Sequence, residues 1–272
     1  MTVWQAIILG VLQGATEFLP VSSSGHIELG KALLGVDAES DMAFTIALHG
    51  ATVLSTIVAL WPEIWQLLRG VFRFRWNDEM QYLVKIVLSM IPVALVGLLA
   101  KDYVESLFNG NLLVVGLSLL VTALLLWLAS RVGDGQKDAA DSVYSLQRQP
   151  SYLTAFVMGV GQAFAVLPGL SRSGTTISLG LCMRADRRGV AQFSFLMVLP
   201  PIIGMNILEA MHGFGEMTLG VAPLLAGVLS AFLVGYAACR WMIALVRRGR
   251  LGWFALYCAV VGGITVVLTL LR

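Results

Sequence analysis

Two stretches decide how this chain is read: Gln13-Gly-Ala-Thr-Glu-Phe-Leu-Pro-Val-Ser-Ser-Ser-Gly-His26 and Gly161-Gln-Ala-Phe-Ala-Val-Leu-Pro-Gly-Leu-Ser-Arg-Ser-Gly-Thr-Thr176. Each follows an apolar segment dotted with Gly and Gln, about 3–21 and 152–170, passes through a Leu-Pro and runs into a Ser/Gly cluster. Polar, non-helical backbone is tolerated at membrane depth only where it is buried in protein or lines a watery cavity. Both stretches are therefore predicted to be re-entrant helix–loop–helix elements. They also match without a gap at a shift of 149: Gly10, Val11, Gln13, Ser22, Ser24 and Gly25 fall on Gly159, Val160, Gln162, Ser171, Ser173 and Gly174. Farther on, Phe44-Thr45 falls on Phe193-Ser194.

The membrane setting comes from composition. Of 272 residues, 58% are hydrophobic and 12% charged, and the mean hydropathy is +0.83. A soluble domain is about 45–50% apolar and about 25% charged, so this chain lacks the charge to coat a globule. A soluble enzyme, a disordered chain and a nucleic-acid partner are excluded together, and the net charge of +2 is too small to suggest a polyanion. Cys182, Cys239 and Cys258 are odd in number, far apart and set in apolar stretches, so they read as packing residues. The start, Met1-Thr2-Val3-Trp4-Gln5, lacks the positive region of a signal peptide, so residues 1–20 are expected to stay in the protein.

A span needs roughly 20 mostly apolar residues. Six segments qualify: about 43–61, 83–100, 112–130, 192–211, 219–246 and 253–271. Each half then holds one re-entrant element and three spans. Three is odd, so the second half must insert upside down. The expectation is an all-α integral membrane protein, a single membrane domain over 1–272. It would be an inverted-topology repeat of six transmembrane helices plus two re-entrant elements, with its site near the midplane. Repeat one covers about 1–130, repeat two about 150–272, and a cytoplasmic linker about 131–150. Loop charges orient it. Arg69, Arg73, Arg75, Arg131, Lys137, Arg148, Arg184, Arg187, Arg188, Arg247, Arg248 and Arg250 fall on one side, against Lys31, Lys101 and Arg272 on the other. The basic side is cytoplasmic, which turns both termini and the first re-entrant mouth outward.

Glu17 lies in an apolar helix, where a carboxylate is costly and by default functional. Gln13 shares its helical face, and a carboxylate with an amide oxygen suits a hard divalent cation beside a phosphate. Ser22, Ser23 and Ser24 follow Pro20 at a helix start, an anion cradle of hydroxyls and N–H groups. His26, three residues after Ser23, is suited to proton transfer. Ser171-Arg172-Ser173 repeats the cluster with arginine at its centre, whose fork matches a phosphate. The alternative role for Arg172 is a salt bridge to Glu17 that joins the halves, and the two are compatible, since the pair could form when substrate is absent. Ser171, Ser173 and Thr176 complete the second cradle. His49 reads as a packing residue, Glu28, Asp37, Glu39 and Asp41 as a solvated outer surface, and the Arg184–Arg188 run as a topology signal.

Metal-competent carboxylate, hydroxyls, histidine and arginine at membrane depth suit a phosphate ester or anhydride carried on a lipid. Gln13 to His26 resembles the first signature of the undecaprenyl pyrophosphate phosphatases, the bacitracin-resistance family, and Pro168-Gly-Leu-Ser-Arg-Ser-Gly-Thr-Thr176 resembles the second. The resemblance spans essentially the whole chain. It implies a bacterial inner-membrane hydrolase that converts undecaprenyl diphosphate to undecaprenyl phosphate and inorganic phosphate, recycling the carrier for peptidoglycan. It further implies a divalent cation (Mg²⁺ or Ca²⁺), an outward-opening site and, often, a homodimer. Glu17 would be the essential acid, Ser23 and His26 the catalytic hydroxyl and histidine, and Arg172 the phosphate-binding arginine. Many members carry Glu where this chain has Gln13, which weakens the case for a metal contact there. The sequence leaves phosphoseryl and direct water attack both open. The alternative function is a lipid-phosphate flippase built on the same repeat.

Overall fold

A computed structural model describes residues 1–36, 42–99, 112–133, 149–211 and 220–271. Asp37, Glu39, Asp41, Lys101, Lys137, Arg148, Arg272, most of the expected linker and the Glu28 side chain lie outside them. All regular secondary structure among the described residues is helical, with no strand. Twelve helices are formed among them: α1 Val3–Phe18, α2 Ser23–Leu34, α3 Met42–Ala59, α4 Trp61–Val71, α5 Asp78–Leu99 and α6 Leu112–Gly133, then α7 Tyr152–Phe164, α8 Arg172–Cys182, α9 Arg187–Met197, α10 Leu199–Met211, α11 Val221–Arg247 and α12 Gly252–Leu270.

Local chemistry sets several of these ends. Thr2 and Gln5 form a capping box on α1, and Ser151 caps α7 by accepting from Thr154. Each hydroxyl takes one of the N–H groups that a helix start leaves without an internal partner. Pro20 forces Leu19 into extended backbone (ψ 141°), which ends α1. The starts of α1 and α7, and of α2 and α8, fall 149 residues apart, the shift seen in the sequence.

Four helices, α5, α6, α11 and α12, are long and apolar enough to cross a membrane. A fifth candidate is α3 with α4, bent by 76° at Leu60. The expected span at 192–211 is not one helix. Pro200 and Pro201 lack the N–H groups that would bond back to the preceding turn, and the chain divides at Val198 into α9 and α10. Leu98, Leu99, Leu225 and Leu229 stand exposed on the long helices. A helix apolar on its outer face is at home in lipid.

Packing follows pairs: α1 on α11 and α7 on α5, α3 on α11 and α9 on α5, α2 on α1 and α8 on α7, with α6 on α12. Glycine allows the tightest crossings. A Cβ at Gly10 would collide with the Gly227 carbonyl of α11, and one at Gly159 with the Ser89 carbonyl of α5. Phe44 and Phe193 are both fully buried. The first lies over Gly227, and the second meets Tyr82 edge-on, ring centroids 5.4 Å apart.

Candidate active site

Glu17 stands one residue before the end of α1 and collects contacts from both halves. One carboxylate oxygen accepts from Ser23 Oγ at 2.8 Å and from Gln13 Nε2 at 3.1 Å. The other takes Arg172 Nη2 in an ion pair. The Glu17 side chain is 7% exposed and that of Arg172 30%. His49 of α3 is held within its own helix, its Nδ1 on the Thr45 carbonyl at 2.9 Å. Ser23 opens α2 and Arg172 opens α8, so two helix N-termini converge on this carboxylate. That geometry concentrates positive partial charge at one point.

Two turns make the convergence possible. Ser22 adopts φ +70°, a left-handed conformation uncommon for a residue with a Cβ, and so swings Ser23 back onto Glu17. Gly169 adopts φ +85° with its backbone pressed on Val115 of α6, where a side chain has no room. Ser173 Oγ then donates to the Leu19 carbonyl at 3.3 Å, pinning the second loop to the first.

The serine cradles are only partly turned to the site. Ser171 Oγ caps α8 at Gly174, its N–H donates to Thr122 Oγ1, and Thr176 is fully buried against Ser194 at 2.6 Å. Ser22 and Ser24 share a long 3.4 Å contact. His26 departs from the expected arrangement. Its Nδ1 contacts the Ser22 carbonyl at 2.8 Å and its Nε2 the hydroxyl of Tyr257 on α12 at 2.6 Å, so it is not on Ser23. Next to Tyr257, Cys258 donates to the Pro20 carbonyl, tying α12 to the same loop.

Beside the ion pair lies a small cavity with two characters. Glu17, Arg172, Thr52, Thr56, Ser173 and Ser194 form a polar wall, and Phe18, Phe195, Val198, Leu199 and Ile202 an apolar one. Its free volume of about 20 Å³ holds roughly one water molecule. Thr52, Thr56, Ser194 and Tyr257 were not singled out in the sequence; only the shift that sets Thr45 on Ser194 touches one of them. Among the described residues no group of three or more His, Cys, Asp or Glu is placed to hold a metal ion.

An all-helical, multi-pass membrane protein with a carboxylate, a hydroxyl and a guanidinium joined at the meeting of two helix starts is the class these observations define. The chain belongs to the family described as bacitracin resistance protein BacA, which it matches over residues 6–264. It is similar to the undecaprenyl-diphosphatase of Parabacteroides distasonis, 47% identical over the full length of both chains. That of Bacteroides thetaiotaomicron is 48% identical over 97% of this chain and 98% of the relative. The undecaprenyl-diphosphatase of the more distant Methanosphaera stadtmanae is 34% identical over 99% of each.

Proposed function

We propose that this protein hydrolyses undecaprenyl diphosphate to undecaprenyl phosphate and inorganic phosphate, with the site centred on Glu17, and that bacitracin resistance follows from this activity. The relatives' names supply the substrate. The observation that carries the site is the Ser23–Glu17–Arg172 cluster, drawn from both halves of the chain.

The chemistry follows from the contacts. Arg172, partly exposed on the cavity wall, leaves the carboxylate as the diphosphate enters, and its fork takes the phosphoryl oxygens. Glu17, released from that pair, accepts the Ser23 proton as Oγ attacks the terminal phosphorus. The anhydride P–O bond breaks and undecaprenyl phosphate leaves with the electron pair. Water then cleaves the phosphoseryl bond and inorganic phosphate departs. Attack by water directly, with Glu17 taking its proton, uses the same groups. N–H groups at the starts of α2 and α8 stabilise charge on the phosphoryl oxygens. The apolar wall of Phe18, Phe195 and Ile202 suits the first prenyl units.

The donor set fits a divalent cation to the extent that substrate oxygens complete its shell, the usual arrangement for Mg²⁺. Glu17 and the amide oxygen of Gln13 would hold it. When bound it would neutralise charge on the diphosphate.

The reading includes an inverted repeat. The paired packing of α1 with α11 and α7 with α5, and the common shift of helix starts, support it. The basic loops would then be cytoplasmic, in the inner membrane, with the site opening outward. A cysteine in place of Arg248, in a chain lacking the native three, should resist an impermeant thiol reagent in intact cells. Labelling from outside overturns that orientation.

Phosphate release from undecaprenyl diphosphate by purified protein in detergent tests the activity, since no leaflets exist there for a flippase to act between. Acid-stable radiolabel on Ser23 after a single turnover identifies the covalent route, and its absence identifies direct water attack. No phosphate release with any divalent cation overturns the proposal.

A further inference from the structure

Away from the site, the end of α11 meets the start of α9 in an open cavity of about 480 Å³. Arg188, Arg240, Arg247 and Arg248 line it, together with Ile243 and Ala244, and no carboxylate does so among the described residues. Positions 240, 243, 244, 247 and 248 lie on one helical face, since they are spaced by three and four. That face presents a guanidinium, an apolar floor, then two more guanidinium groups, and Arg188 closes the pocket from α9. A helix C-terminus carries about half a negative charge, which Arg247 and Arg248 face directly. Arg188 and Arg240 are additional to them.

Depth adds a second constraint. Arg240 lies two turns inside a helix long and apolar enough to span a membrane, and it is exposed. Trp241 beside it and Trp253 at the start of α12 are exposed as well, at 54% and 76%. Exposed tryptophans of this kind collect at the headgroup level. The Arg240 guanidinium, 5.9 Å from the centroid of the Tyr236 ring, therefore reaches the level at which lipid phosphates lie.

We propose that this pocket binds the phosphate headgroup of an anionic phospholipid, with the guanidinium groups on the phosphodiester oxygens and the glycerol backbone over Ile243 and Ala244. Two or more arginine forks match phosphate oxygens bidentately, which selects an anionic lipid over a zwitterionic one. The pocket shares no lining residue with the cavity beside Glu17, so lipid binding there is separable from hydrolysis and does not depend on the reading of the active site.

The test uses the full-length protein in detergent, titrated with phosphatidylglycerol, cardiolipin, phosphatidylcholine or inorganic phosphate while thermal unfolding is followed. The anionic lipids should raise the melting temperature saturably, and phosphatidylcholine and millimolar inorganic phosphate should not. In the triple variant R188Q/R240Q/R248Q, the anionic-lipid affinity should fall about tenfold or more, with detergent hydrolysis rates unchanged. If that variant fails to fold, R240K/R248K keeps the charge and removes two forks, and its affinity should fall severalfold. Unaltered lipid affinity in a folded variant, or equal stabilisation by phosphatidylcholine, overturns the proposal. Stabilisation by inorganic phosphate that competes with the lipid overturns the lipid as occupant.

Discussion

The imidazole of His26 and the phenol of Tyr257, 231 positions apart in the chain, meet at 2.6 Å with their rings stacked at an interplanar angle of 22°. The Ser22 carbonyl can only accept, so Nδ1 carries the proton there. In the neutral ring, Nε2 then accepts from the Tyr257 hydroxyl. Both ring nitrogens are held, and the ring is fixed one helical turn beyond Ser23. Tyr257→Phe removes one hydrogen bond worth about 0.5–1.5 kcal/mol. We expect the melting temperature to fall by about 1–4 °C with kcat close to the parent's, because the proposed chemistry runs through Glu17 and Ser23 and neither ring nitrogen contacts Ser23. Steady-state kinetics on undecaprenyl diphosphate decide this, and a kcat lowered about tenfold or more in a folded variant would bring His26 into the proton path.

Glu17→Gln should abolish proton acceptance from Ser23 while preserving the shape of the site. General-base contributions are about 10²–10⁴-fold, so turnover should drop by at least about 10²-fold. Insertion should be unharmed, because a carboxylate is removed from an apolar helix. Assays at saturating divalent cation are the relevant ones. Normal turnover there would reduce Glu17 to a structural counter-ion of Arg172.

Much of this cluster was legible because membrane depth makes polar residues conspicuous. Gln13 and Glu17 stand four apart on one helix, and Ser23 and Arg172 fall beside proline at loop-to-helix turns. Their chemistry is written in local spacing. Tyr257, Thr52 and Thr56 carry no such signal: Tyr257 finds its partner on another element, and Thr52 and Thr56 bond back to carbonyls of their own helix α3, so only tertiary packing makes them part of the cavity wall. The direction of His26 was hidden for the same reason: three residues from Ser23 in sequence, it answers to α12. The division of the 192–211 span was legible in Leu199-Pro200-Pro201, where two missing N–H groups outweigh the apolar run.

The shift of 149 also makes a packing prediction at its glycines. Gly10 and Gly159 are equivalent in the sequence match, and each has neighbouring backbone where a side chain would go. Backbone cannot rotate aside as a side chain can, so Gly159→Val should force α7 off α5 at a cost of about 3 kcal/mol. Gly10→Val should act alike on α1 and α11. Gly97→Ala is the control, because nothing lies within 4 Å of its Cβ position. Thermal unfolding in detergent should show both valine variants well below the parent and the control at or above it. An unchanged melting temperature for Gly159→Val would mean the α5–α7 crossing is looser than described.

The Arg172–Glu17 pair joins the halves, and two roles for Arg172 give different results with lysine. As a phosphate clamp, Arg172 needs its planar fork, which lysine lacks while keeping the charge. Losing one preorganised donor at a reacting group costs about 10²–10³-fold in kcat, so Arg172→Lys should fall by about 10²-fold with little change in melting temperature. As a strut, a point charge suffices, and lysine should work nearly as well as arginine. The mutant cycle tests the pairing separately. Arg172→Met leaves the nearly buried Glu17 carboxylate without its cation, and Glu17→Gln leaves a partly exposed guanidinium, so the first should destabilise more. The double variant should melt above Arg172→Met, since neither charge is then left alone, and it should be inactive. Near-normal turnover of Arg172→Lys would defeat the clamp, and with it the placement of the substrate phosphate between the two loops.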